Sequence, residues 1–315
     1  MLCAKQITVI ISFLNEGDEL FRTIESVRAT AGDRVDIVVV DDYSDDGRDY
    51  NAELQKYGVL YHRNPERKGS SIGKEIGVSL CKTPYFLLLD SHCRMYTSDW
   101  LDRLEAELRN PDAVKTLYCL ACQPFDTEDG EQDMRKPITY GAHMTYKPSC
   151  VFSLTWNNKV ISKEPFDVPC ILGANYVCSK EWWDYIGGHR GLRLYGREEQ
   201  FVSYKSRMLG GYVKCIPSIV VGHRFRKAGA RPYKCTIDEG YHNEMVVAYI
   251  CAPHLFPRLL RHWESRCHKP SFEKARATFF AHLEELEYIK SEISSKCVTS
   301  FDSQDEFNTR FLRDR

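Results

Sequence analysis

The chain has 315 residues, 43% of them hydrophobic and 28% charged, with a formal net charge of −1. That length and apolar content suit an ordinary soluble globular protein with one large domain or two small ones. The near-zero net charge removes any bulk electrostatic reason to expect a nucleic-acid or membrane partner, and leaves only local patches to argue from.

The longest apolar runs, Ile7 to Leu14 and Tyr85 to Leu89, fall far short of the roughly 20 residues a membrane span needs. The start, Met1 to Gln6, has no basic region followed by a signal-like apolar segment, so a cytoplasmic protein is expected. Thirteen cysteines, an odd number scattered along the chain, indicate reduced thiols rather than a complete disulfide framework.

From the start, short apolar runs alternate with amphipathic segments, the pattern of a mostly parallel sheet with helices on both faces. A strand over Ile7 to Phe13 precedes a helix over 18–31, in which Leu20, Ile24 and Val27 share a face. "VDIVVVDD" at 35–42 reads as the second strand and "GVLYHR" at 58–63 as the third. Ser71 to Cys81 reads as a helix presenting Ile72, Ile76 and Leu80. A fourth strand, Tyr85 to Leu89, leads to the helix "SDWLDRLEAELRN", which Ser98 could cap.

After about residue 122 the alternation breaks, and loops with short antiparallel strands such as "GAHMTYK" and "VFSLTWN" are expected through 170. "ILGANYVCSKEWWDYIGG" is a strand and a helix, and "YGREEQFVSYKSRMLGG" a helix stopped by glycines. "YVKCIPSIVVGHRFR" is a strand ending in His223. From Thr236 the pattern is helical, and the stretch after Ser294 looks frayed or disordered. The expected organisation is a catalytic domain over 1–230, with a nucleotide half at 1–122 and an acceptor half at 123–230, and a helical extension over 231–315.

Ligands of open α/β sheets bind beyond the carboxyl ends of the strands, which here deliver Asn15-Glu16, Asp41-Asp42 and Asp90-Ser91-His92 to one rim. Asp90 and His92 share a side if the strand's alternation persists, and a carboxylate with an imidazole is a set that Mn²⁺ accepts. His223, at the end of another strand, could supply a third ligand and leave positions for phosphate oxygens and water. On spacing alone Asp90 also fits a capped turn, and the acids of "DDYSDDG" a helix cap. "GSSIGK" lacks the spacing of a Walker A loop, although Lys74 on a first helical turn can reach a diphosphate. Glu198-Glu199 at a helix start suit the dipole, and two adjacent carboxylates facing different ways also suit an acid/base group and a structural one. His62, His143, His189 and His254 have no ligand pattern.

These residues together resemble GT-A nucleotide-sugar glycosyltransferases from about Ile7 to Arg226. "ITVIISFLNEGDELFRTIESV" and "DIVVVDDYSDDG" are similar to the start of family 2 glycosyltransferases. "RKGSSIGKEIGVSLCKTPYFLLLDSHC", "YGREEQFVSYKSRMLGG" and "VGHRFR" resemble the polypeptide N-acetylgalactosaminyltransferases, in which DxH replaces DxD. The resemblance implies that Asp90, His92 and His223 bind Mn²⁺ or Mg²⁺. It implies that Asp42, with Ser12 and Phe13, holds base and ribose, and that Asp41, Arg67 and Lys74 belong to the same UDP-sugar site, Lys74 toward the diphosphate. Glu198 and Glu199 are its catalytic candidates, Glu198 beside sugar or acceptor. Tyr195 stands where those enzymes have tryptophan, and Arg197 and Glu199 replace a glycine and an asparagine. Their lectin module and membrane anchor have no counterpart in this sequence, which turns the expectation away from mucin-type acceptors.

The expected activity is metal-dependent transfer of a sugar from a nucleoside diphosphate to a hydroxyl acceptor. The DxH likeness implies retention, whereas Glu198 or Glu199 as a base implies inversion. Between Arg224 and Lys269 the basic residues Arg224, Arg226, Lys227, Arg231, Lys234, Arg258, Arg261, Arg266 and Lys269 interleave with Tyr233, Tyr241, Phe256 and Trp263. Such a run can track a phosphate backbone, which brings in hydroxymethylated pyrimidines of phage-type DNA as acceptor; a solvated helical face over core aromatics is the plainer reading, and a peptide acceptor the alternative. A nucleotidyltransferase and a non-catalytic nucleotide-binding protein are the readings from other classes.

Overall fold

Residues 4–145, 152–226 and 232–313 are described by a computed structural model. The first half follows the apolar runs closely: β1 (Ile7–Phe13), α1 (Asp18–Ala31), β2 (Asp36–Asp41), the short α2 (Tyr50–Leu54), β3 (Leu60–Arg63), α3 (Ser70–Leu80), β4 (Tyr85–Leu89), β5 (Cys93–Met95) and α4 (Trp100–Glu107). Next come β6 (Thr116–Phe125), β7 (Ala142–Thr145), β8 (Ser153–Trp156), β9 (Phe166–Asp167), β10 (Asn175–Ser179), α5 (Lys180–Ile186), α6 (Glu198–Met208) and β11 (Tyr212–Arg224). Helices α7 (Ile237–Cys251), α8 (Phe256–Arg266), α9 (Lys269–Ala281), α10 (Leu283–Lys296) and α11 (Phe301–Arg313) complete the chain.

The main sheet runs β3-β2-β1-β4-β10-β6-β11-β5, with β9 paired to β11. β1 is parallel to β2 and β4, β2 to β3, and β6 to β11. β10 enters antiparallel between β4 and β6, so one sheet spans both halves of the chain. β7 and β8 form a separate antiparallel ribbon.

Because successive side chains point to opposite faces, each central strand must feed two cores, which is why its sequence is continuously apolar. Ile10, Val38, Val40, Phe86 and Leu88 face α3, α5, α6 and the C-terminal helices, while Val9, Ile11, Ile37, Val39 and Leu87 face α1, α2 and α4. Each such side chain stabilises the fold by roughly 1.5–3 kcal/mol.

Four expectations need correction. α3 meets the sheet chiefly through Ser71, Gly73, Lys74, Gly77 and Val78, while Ile76 and Leu80, expected on its apolar face with Ile72, pack only half-buried against the core. A Cβ at Gly77 would sit 2.1 Å from Ile10 Cγ2, so only glycine lets the helix come this close. Ser98 does not cap α4, whose N-cap is Asp99 without a side-chain bond. β6, where no strand is expected, lies within the central sheet; a short continuous apolar run does not by periodicity alone distinguish a strand from a buried helix. Its Cys119 and Cys122 form a C-x-x-C spacing, which groups with no third metal ligand among the described residues.

The fourth correction is the chain end, expected to fray. α10 continues through Lys296, and α11 buries Phe301 and Phe311. Asn308 Nδ2 donates to Met144 O at 2.6 Å while its Oδ1 accepts from Met144 N at 2.8 Å. No described helix is long and apolar enough to cross a membrane. Of the expected short strands, residues 146, 147 and 151 lie outside the described residues.

Candidate active site

A cleft of about 330 Å³ opens beyond the carboxyl ends of β1, β2 and β4, lined there by Ser12, Phe13, Glu16, Asp42, Asp90 and His92. The turn after β4 carries Asp90 and His92, and β5 then pairs antiparallel with β11 so that His223 lies opposite Cys93. This register brings two histidines more than a hundred residues apart to ring centroids 4.9 Å from each other. One ligand atom from each of Asp90, His92 and His223 lies within 4.8 Å of the others.

His223 Nε2 is 3.3 Å from Asp90 Oδ2, but the approach is off-axis, and both ring nitrogens are buried without a hydrogen-bond partner. A buried imidazole with neither nitrogen satisfied is costly, and a divalent cation shared with Asp90 and His92 would satisfy it. Burial lowers the His223 pKa below the usual imidazole value. Burial alone would raise Asp90, but the His223 contact, Lys74 and His92 hold its carboxyl well below the ordinary range.

Glu16, which the sequence marks only by its place after a strand, stands beside this group. It takes two bonds from Arg226, Nη1 to Oε1 at 2.8 Å and Nη2 to Oε2 at 2.5 Å, and lies 3.4 Å from His92 Nδ1. Burial acts against its charge, yet Arg226 and His92 bring its pKa down to about 2. Arg226 thereby joins the end of β11 to the end of β1.

The two acids after β2 part company. Asp41 is fully buried outside the cleft, accepting from Ser44 N, Tyr61 Oη and Arg63 Nη1, so it shapes the turn and meets no ligand there. Asp42 lines the cleft and accepts from Asn64 Nδ2, Lys68 N and Gly69 N at 2.7–2.9 Å, fixing the loop that carries Arg67. Arg67 also lines the cleft, donating to Lys234 O. Gly69 has φ 88°, and a Cβ there would meet Leu194 Cα at 2.1 Å, so glycine is required where this loop touches the opposite rim.

Lys74 points from α3 to Glu198 Oε2 at 3.5 Å, and Ser71 Oγ donates to Glu198 Oε1 at 2.9 Å. Burial opposes the Lys74 charge, but Glu198, with Asp90 and Glu199 behind it, holds the ammonium well above an ordinary lysine. Glu199 lies over Gly173, facing the cleft, and no other described residue pairs with its carboxylate. Burial and the neighbouring Glu198 raise its pKa. The adjacent carboxylates are thus one bound and one available.

At the mouth, Trp156 and Phe225 rings lie 4.8 Å apart, both partly exposed, and Phe225 stands edge-on to His223 at 4.3 Å. A groove lined by Pro124, Pro137, Thr139 and Asn158 runs on from this pair. Tyr195 and Tyr233 also line the cleft. Apart from the likeness to tryptophan at Tyr195, nothing local in the sequence marks these aromatics, because strands distant in the chain assemble them.

The family model for glycosyl transferase family 2 matches residues 8–168. Human polypeptide N-acetylgalactosaminyltransferase 10 is 31% identical over 244 residues, covering 72% of this chain and 38% of that protein. Human polypeptide N-acetylgalactosaminyltransferase 14 is 27% identical over 227 residues, covering 70% of this chain and 41% of that protein. The chain therefore spans about two fifths of the length of these curated relatives. Among solved structures, GalNAc-T7 with UDP, GalNAc and Mn²⁺ superposes at a TM-score of 0.67 with 21% identity, covering 96% of this chain and 56% of that one. Staphylococcus aureus TarS 1–349 with UDP-GlcNAc superposes at 0.56 with 12% identity, covering 92% of this chain and 89% of that one. These likenesses give the architecture its name, a GT-A fold with added C-terminal helices. The matched model covers half of the chain, and the protein belongs to glycosyl transferase family 2.

Proposed function

We propose that the cleft transfers a sugar from a nucleoside diphosphate, UDP, to a hydroxyl of an acceptor, with Mn²⁺ held by Asp90, His92 and His223. The observation that carries this reading is His223, buried with both ring nitrogens unpartnered beside a carboxylate and a second imidazole. The ion, when bound, offsets the charge that develops on the departing diphosphate.

The chain's own residues supply the rest. Asp42 sets the 64–69 loop that, with Ser12 and Phe13, walls the nucleoside end of the cleft. Lys74, kept charged by Glu198, adds a fixed positive charge next to the phosphates. Transfer breaks the bond between the anomeric carbon and the phosphate oxygen and forms one to the acceptor oxygen. The acceptor's proton goes to Glu199 in an inverting reaction or to the leaving phosphate oxygen in a retaining one. Glu199 suits the base role better than Glu198, whose oxygens already serve Ser71 and Lys74.

For the acceptor, the Trp156–Phe225 pair and the proline-lined groove beside it favour an extended peptide, as do the names of the relatives. A DNA acceptor has less behind it. Tyr241 packs on Trp263 and Phe272, and Phe256 on Phe279, so these aromatics serve the helical core and not a stacking surface. Arg224 is paired with Glu19 and Arg226 with Glu16, while Lys227 and Arg231 lie outside the described residues.

The test is UDP release from a panel of UDP-sugars, with and without Mn²⁺, using peptides, hydroxymethylated DNA and plain DNA as acceptors. Asp90→Ala and His223→Ala should each lower turnover about 100- to 1,000-fold. Metal-independent release, turnover of nucleoside triphosphates instead, or unchanged rates in the variants would overturn the reading. The anomeric configuration of the product decides the fate of the proton.

A further inference from the structure

Asn243 and Glu244 are neighbours on α7, both fully buried, and most of their bonds leave the helical extension. Asn243 Oδ1 accepts from Arg193 N at 2.9 Å. Its Nδ2 donates to Arg193 O at 2.8 Å, Tyr195 O at 3.2 Å and Gly196 O at 2.8 Å. One side-chain amide thus reaches four backbone groups of a single, partly exposed loop, one of its two N–H bonds being shared between carbonyls. Glu244 pairs with Arg197 and accepts from Phe152 N, and Gln200 Nε2 donates to Phe152 O at 2.8 Å.

The loop needs this support. Leu194 and Arg197 both sit in the left-handed region, with φ 52° and 69°, at a cost of about 1–2 kcal/mol each. Such backbone persists only where its surroundings over-determine it. Leu194 O accepts from Ser71 N at 3.3 Å across the cleft, and Arg197 is the residue immediately before Glu198 and Glu199. Phe152 leads into β8, which carries Trp156.

We propose that Asn243 and Glu244 are positioning residues for the transfer site. From the C-terminal helices they hold the 193–197 loop in the shape that aims Glu198 and Glu199 into the cleft, and they tie that loop to the strand bearing Trp156. The 231–315 segment is, on this proposal, part of the catalytic unit and not an appendage to it. The proposal rests on the transferase reading of the cleft.

The critical variant is Asn243→Asp in the full chain, which keeps the size and the acceptor but sets a carboxylate against three carbonyl oxygens. It should lower kcat about 10- to 100-fold while the UDP-sugar KM and the Mn²⁺ affinity, read by electron paramagnetic resonance, stay near the parent values. Amide hydrogen exchange over 193–199 should quicken in the same variant. Glu244→Gln, which still accepts from Phe152 N, should lose less than Glu244→Ala. If Asn243→Asp does not fold, Arg197→Gln reads the same tie from its half-buried end. Parent-like kcat and exchange in a folded variant would overturn the proposal, as would a fall in kcat, metal affinity and melting temperature together with a rise in KM. Should the parent turn over no sugar nucleotide, the transferase reading fails by itself, and the exchange at 193–199 alone decides whether Asn243 and Glu244 hold the loop.

Discussion

The two rims of the cleft are built from different materials. On one, Ser12 lies near the end of β1 while Asp42 and Asp90 follow directly on β2 and β4, so ladder hydrogen bonds shared over many residues place them. On the other, Tyr195 lies on, and Glu198 and Glu199 directly follow, a loop with two left-handed non-glycine residues, held by side chains from a helix some fifty positions downstream. A rim set by a ladder tolerates single changes, because no one bond decides its shape. A rim set by single buried side chains does not.

Where the rims touch, the contrast can be broken most directly. Lys74→Met leaves Glu198 buried with only Ser71 for a partner, and should cost about 3 kcal/mol in urea unfolding besides most of the turnover. Adding Glu198→Gln should return part of that stability; a neutral Lys74→Met would mean that the rims are not coupled through this pair. Gly69→Ala forces a Cβ onto Leu194 at φ 88°, and a loss of about 2 kcal/mol is expected. An unchanged melting temperature there would show the second rim to be more compliant than its geometry implies.

The smallest effect, read near neutral pH, is the titration of a buried histidine. His242, next to Asn243 on α7, is driven by burial to about 4 from 6.5. Its folded pKa is below its unfolded one, so the unfolded chain binds more protons inside that window. Stability therefore falls as pH drops from 6.5 to 4 and is flat on either side. Between pH 7 and 6 the change is less than about 1 kcal/mol. His242→Gln should flatten the curve measured by thermal melts at each pH, and a curve unaltered by that change would assign the acid sensitivity elsewhere.

The same contrast explains what could be read from the sequence. β1, α1 and β4 match their expected ends because a strand buried on both faces and a helix buried on one leave local signatures, and the residues just past them are candidates by position alone. Choosing between Asp41 and Asp42, or between Glu198 and Glu199, depends on which oxygen finds Tyr61, Gly69, Ser71 or Lys74, and spacing carries no such information. Asn243 is further out of reach. Its role exists only once α7 has packed beside a loop fifty residues earlier, and in the sequence it is one polar residue in a helix. The order of the chain's end escapes the sequence for the complementary reason: its few aromatics gain meaning only from the surface they cover.

Asn308 shows how little is needed to finish a sheet. Its single amide meets both the N–H and the C=O of Met144, as the backbone of a neighbouring strand would. A strand margin left bare invites pairing with another molecule. By occupying these two groups on β7, α11 leaves neither open to a further strand at this point on the margin of the ribbon that carries Trp156 at the cleft mouth.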